Sequence, residues 1–173
     1  MKTIYKLLCS SLLIFSFSGY ASEPTTIESQ FEAALLCQAE PIDGREPKVV
    51  KWLNEQNVEV KNLDEELIEL EYYFAKPLQI LNVTVPRVRY LGDSGSYFYA
   101  TAKGDMDMFA KSIGAKPVPT DLKEELSWGD ISSYYKYTAP ATAENPFPKT
   151  IIIGRDDDSK PGEFYFGCRE YDG

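Results

Sequence analysis

Two cysteines, Cys37 and Cys168, stand near opposite ends of this chain, and pairing them would oblige its first and last structured segments to meet. The pairing is expected because the chain opens as an exported one does. Lys2 and Lys6 give a short positive start, Leu7 to Phe17 is mostly apolar, and Gly19-Tyr20-Ala21 places small residues three and one before a cut at Ala21/Ser22. Residues 1–21 therefore read as a signal peptide. The apolar run is too short for a membrane anchor, which needs about 20 predominantly apolar residues. Cys9 leaves with the signal, and Leu8 before it does not fit a lipoprotein site. The two cysteines left in an oxidising compartment read as a disulfide. Closing so long a loop removes about 4–5 kcal/mol of unfolded-state entropy in the loop-closure model. The expected location is periplasmic in a Gram-negative host and secreted otherwise.

Residues 22–173 remain, and they suit a single globular domain large enough to bury a core. The signal takes away two lysines and no acid, so the net charge moves from −9 for the whole chain to −11. Such a surface repels phosphate backbones and anionic lipid heads, so neither nucleic acid nor a membrane is an expected partner. A basic protein is.

Periodicity gives the elements. Thr25 with Glu28 reads as a capping box opening a helix with Ile27, Phe31, Ala34 and Leu35 on one face. A second helix runs from about Glu46 to about Asn57, with Pro47 in its first turn. Residues 63–74 fit either period, and Tyr72-Tyr73-Phe74 tips them to strand. Leu78 to Leu91 reads as strand interrupted at Pro86, where a bulge or an edge is expected. Gly92 to Gly95 is a turn and Tyr97 to Ala102 the returning strand. Asp105 caps a third helix that stops before Gly114. Lys116 to Thr120 reads as a connector, Ile131 to Tyr137 as strand, and Ala139 to Pro148 as loop. A hairpin closes the chain, Thr150 to Ile153 and Glu163 to Tyr171, with Phe164, Phe166 and Cys168 on one face. The fold expected is α+β, a mainly antiparallel sheet of five or six strands with about three helices on one face.

The chemistry is bounded by what is missing. With no histidine in the chain, Ser-His-Asp and Cys-His catalysis and histidine-ligated zinc are excluded. Paired cysteines leave no thiol nucleophile, and no phosphate-binding or dinucleotide glycine motif is present. No cofactor, metal site or catalytic residue is therefore expected. Carboxylate-only hydrolysis survives the filter, with Glu65, Glu66, Glu69 and Glu71 as raw material, although their alternation with apolar residues reads as a solvated strand face. Asp156-Asp157-Asp158-Ser159 suggests calcium, but Lys160 and Pro161 break the EF-hand spacing. Asn82-Val83-Thr84 is a glycosylation sequon in form, discounted because it falls within an expected strand.

Tyrosine is the unusual usage. Tyr97, Phe98 and Tyr99 lie in one expected strand and Tyr134, Tyr135 and Tyr137 in another, and their outward members could form an aromatic platform. Tyr134, Tyr135 and Tyr137 with the acids Asp156, Asp157 and Asp158 are the candidate binding residues. The function expected is that of an exported, non-catalytic binder of the cell envelope, an inhibitor or immunity-type protein acting on a basic hydrolase or toxin. A carboxylate-dependent hydrolase of envelope glycans is the alternative.

Overall fold

Apolar and polar residues alternate through 68–74, 83–91 and 97–102, the two-residue period of strands buried on one side. The computed structural model places all three segments in one antiparallel sheet; it describes residues 26–64, 67–92, 95–126, 132–139 and 149–171. Residues 1–25, where the signal peptide is expected, Glu65, Glu66, Asp93 and Ser94 of the expected turn, Ile131 at the start of the expected strand, and most of the 139–148 loop lie outside the described residues. In chain order the elements are helices α1 (Ile27–Leu35) and α2 (Pro47–Glu55), then strands β1 (Val58–Asp64), β2 (Ile68–Ile80), β3 (Val83–Gly92) and β4 (Gly95–Lys103). Helix α3 (Met106–Ser112), β5 (Lys116–Pro117) and a 3-10 turn (Thr120–Leu122) running into α4 (Lys123–Leu126) follow. Strands β6 (Ser132–Tyr137), β7 (Thr150–Gly154) and β8 (Glu163–Tyr171) complete the chain.

The sheet order is β1-β2-β3-β4-β8-β7-β6-β5. It consists of two four-stranded meanders, β1 to β4 and β5 to β8, laid side by side. They join along β4 and β8, which pair without a bulge from Gly95 with Tyr171 to Lys103 with Glu163.

The α+β class and the antiparallel pairing are as expected, but the sheet has eight strands rather than five or six. The additions are β1, whose Val58 and Val60 are too few to show against the charges beside them, and the two-residue β5 inside the expected connector. The long expected strand from Leu78 is in fact a hairpin. Strand β2 runs on to Ile80, which pairs with Val83 across a Leu81-Asn82 turn, with Leu81 at φ 51°. Asn82 is thus in an exposed turn, not in a strand. Pro86 falls where β3 slips register against both neighbours, as a strand proline missing its N–H must.

Helix caps follow local chemistry. The cap of α1 is Thr26 rather than Thr25: its hydroxyl accepts from the Ser29 N–H at 3.1 Å. Asp105 caps α3 by accepting from the Met108 N–H at 2.9 Å, and Gly114 follows at φ 72°.

One face of the sheet carries the core. Phe31 of α1 packs on Tyr72, Phe74 and Phe98 with ring centroids 5.4, 4.9 and 5.8 Å away, and Phe109 of α3 packs on Phe164 and Phe166. Leu53 of α2 joins the same core. The buried Tyr72 hydroxyl donates to the Ile42 carbonyl and accepts from the Gly44 N–H, so its polar atom is satisfied; burial pushes its pKa up. Cys37, just past α1, is bonded to Cys168 of β8, with Cα atoms 5.0 Å apart. Three helices share this face, whereas α4 was not anticipated and lies on the other. The Glu125 carbonyl accepts from Arg169 at 2.8 Å, and Arg169 faces away from Cys168. Among the described residues no helix is long and apolar enough to cross a membrane.

Candidate binding face on the second side of the sheet

Strand alternation sends every second residue of β2, β3, β4 and β8 to the side away from α1, where the sequence has placed charges and tyrosines. The register aligns them in transverse rows. One row reads Tyr135, Ile152, Gly167, Tyr99, Arg89, Glu71 and Lys61 across seven strands. A second holds Tyr165, Thr101, Arg87, Tyr73 and Glu59, and a third holds Tyr137, Thr150, Arg169, Tyr97, Leu91 and Glu69.

At the centre is Glu71, only 3% exposed. One carboxylate oxygen accepts from Arg89 Nε at 2.9 Å and is ion-paired with Arg87 Nη1 at 2.9 Å, and the other accepts from the Tyr73 hydroxyl. Burial alone would raise the Glu71 carboxyl, but the Tyr73 and Arg89 bonds and the charge of Arg87 hold it below the usual carboxylate value. Burial likewise opposes the charge on Arg89, and bonding to Glu71 and Tyr99 more than restores it. The two arginine side chains keep about a third of their surface open to solvent. Two arginines and one glutamate leave the cluster with one net positive charge inside a strongly acidic chain.

The tyrosines frame this cluster. Tyr99 and Tyr165 approach edge to face with centroids 6.2 Å apart, and burial followed by the charge of Asp156 raises the Tyr165 pKa. Opposite Tyr99 stands Gly167, where a Cβ would lie 2.4 Å from the Tyr99 Cα and 2.6 Å from its Cβ. Only glycine leaves room there for the tyrosine. Arg169 lies over the Tyr97 ring, and Lys61 sits 4.5 Å from the Tyr73 centroid.

The six residues expected in a platform separate. Tyr135 and Tyr137 lie on this face, rings 5.2 Å apart at 74°, with Tyr137 43% exposed. Tyr134 turns to the first face, where its hydroxyl donates to Asp107 at 2.8 Å at the start of α3. That bond raises its pKa first, with burial second. Asp156 is half-buried beside Tyr165 and accepts from the Ser159 hydroxyl at 2.6 Å, while Asp157 and Asp158 are exposed in the loop between β7 and β8. Among the described residues no group of three or more acids or cysteines converges as a metal would require.

Arg87, Arg89, Tyr73 and Tyr165 are not among the residues the sequence singles out, and Tyr99 is there only as a possible outward aromatic. Glu71, expected on a solvated strand face, is buried because the arginines of β3 cover it. A signal for them existed in the charges at 69, 71, 87 and 89, two apart within strands otherwise rich in apolar residues. Joining the two pairs needs the register that the Leu81-Asn82 turn sets. No protein-family model matches the chain, and neither curated proteins nor solved structures give a match.

Proposed function

We propose that this chain is a non-catalytic binding protein of the cell envelope, of the inhibitor or immunity type, and that it takes a basic protein partner on the second face of its sheet. The observation that carries the reading is a centre of tyrosine and arginine surrounded by acids. Tyr97, Tyr99, Tyr165, Arg87 and Arg89 are the residue types that dominate affinity in protein interfaces. Glu59 and Glu69 stand on one side of them, Asp156 beside Tyr165, and Glu125 near Tyr137. Acids around the rim speed the approach of a basic partner, and the aromatic centre then slows its departure. The state of Glu71 weighs against the hydrolase alternative. A general acid needs a raised pKa, and Glu71 has a lowered one with both oxygens occupied.

The test is to pass envelope extract over immobilised mature protein and over a Tyr135→Ala/Tyr137→Ala/Tyr165→Ala variant. A basic protein retained by the first and lost from the second is the expected result. Added salt should slow association more than it speeds dissociation. Equal retention on the variant would overturn the reading. So would release of peptidoglycan fragments that a single Glu or Asp substitution abolishes.

A further inference from the structure

The two edges of the sheet are unlike. At one, β5 is two residues long and one of them is Pro117, so little strand is offered. At the other, β1 offers seven residues and, among the described residues, pairs only with β2. The phase of its free hydrogen-bonding groups can be read directly. The Asn57 carbonyl accepts from the Ala75 N–H at 3.3 Å and so points inward to β2. A trans peptide turns its N–H opposite to its carbonyl, so the Val58 N–H points outward. Alternation then sends Val60 and Asn62 outward as well, and Glu59 and Lys61 inward.

We propose that β1 is a self-pairing edge at which a second copy of this chain docks, antiparallel, about a two-fold axis through Val60. Val60 then faces Val60 of the second copy, and Val58 faces Asn62 in both directions, giving about six main-chain hydrogen bonds. The charges select this register. Glu59 and Lys61 lie on the same face and flank Val60, so pairing about Val60 sets each Glu59 opposite a Lys61 twice over. These are the non-hydrogen-bonded positions, where cross-strand side chains are closest. An axis through Glu59 or Lys61 would set like charges opposite each other. Charges on an edge strand ordinarily keep other strands away; here their order admits one partner, an identical strand running the opposite way. The contact between Lys61 and Glu59 within each copy, 3.7 Å long and exposed, is exchanged one for one, so the dimer gives up two such contacts and forms two across the interface. The axis stands perpendicular to the sheet, so both copies present their tyrosine and arginine rows on the same side. A strip this narrow falls below the area of a standard stable interface, so the dimer is expected with a dissociation constant on the order of 10 µM to 100 µM. This pairing does not rest on the function proposed above.

Sedimentation of the mature chain across that concentration range tests it. The wild type should pass from monomer to dimer. Lys61→Glu, which sets acid against acid, should weaken association by about tenfold or more, and Glu59→Lys should do the same. Mixing those two variants should restore a dimer, since one then carries two lysines and the other two glutamates. Unchanged circular dichroism and melting temperature would show each variant folded, both positions being exposed. A wild type that stays monomeric up to about 1 mM, a Lys61→Glu variant that dimerises as tightly as wild type, or a mixture that stays monomeric would each overturn the proposal.

Discussion

The two faces of the sheet are made from alternate residues of the same strands, yet they solve different problems. On the first face Phe98, Val88 and Tyr72 meet helices and lose nearly all contact with water, so shape and apolar area carry the stability. On the second, their neighbours Tyr99, Arg89 and Glu71 are held by charge and hydrogen bonds, and the Arg89 side chain stays a third open to solvent while Tyr99 and Glu71 are buried. A face closed by packing tolerates little change in volume. A face closed by polar bonds depends on every partner being present, because the cost falls on whichever group is left unpaired. The difference teaches that the second face is ordered without being sealed, the condition a preformed binding surface needs.

Neighbouring substitutions can break this contrast. Phe98→Ala should destabilise the protein by about 4 kcal/mol through the cavity it leaves, measured by urea unfolding. Tyr99→Ala, one residue on, should cost about 2 kcal/mol, since its ring keeps a little exposure where Phe98 keeps none and meets Tyr165 by its edge, with the hydroxyl bonded to Arg89. Equal losses at the two positions would mean that the second face is packed like the first. Glu71→Ala comes next, at about 2 kcal/mol, because Arg87 and Arg89 would be left facing each other while keeping some water.

Acid sharpens the same point. Glu71 has its pKa lowered in the folded state, and so does Asp43, through its bond to Arg45. The unfolded chain therefore takes up protons first as pH falls. Stability from these groups is full above the unfolded carboxylate value of about 4 and is lost as pH drops through the folded values. Urea midpoints from pH 6 to pH 2 should decline, and Glu71→Gln should flatten that decline. A slope unchanged by Glu71→Gln would remove the carboxylate from the second face's stability. The smallest effect belongs to Tyr137→Ala, which should shift stability by no more than about 0.5 kcal/mol. Its expected consequence is in partner dissociation.

How much of this could be read beforehand followed the same division. Elements that bury apolar residues at a clean period were legible: α1 by Phe31 and Leu35, α3 by its Asp105 cap and Phe109, and β8 by Phe164, Phe166 and Cys168. Cys168 pointing at the core side made the pairing with Cys37 legible too. Strand β1 was lost because Glu59, Lys61 and Asn62 mask two valines, and α4 because four residues are too short to show a period. On the second face Tyr135 and Tyr137 could be found within one strand. The Glu71 cluster could not, because it joins residues 16 and 18 positions apart through a turn whose leucine gives no turn signal. Polar sites assembled across strands are written in the register, and register is a tertiary property.

The join between the two meanders has a consequence for the order of folding. Within each meander strands pair with sequence neighbours, so their loops close early and at little entropic cost. Strand β4 must instead find β8 across roughly sixty intervening residues, and closures of that kind set the pace of folding. Helix α1 lies over β2, β4 and β8, and so bridges the join from above. Its sulfur partner on β8 arrives in place only after that closure, since Cys37 precedes the first meander and Cys168 belongs to the second. A bond formed after the slow step leaves the rate of reaching the native state alone and slows the escape from it. The bridge is therefore a latch against opening, and its effect is on lifetime more than on speed.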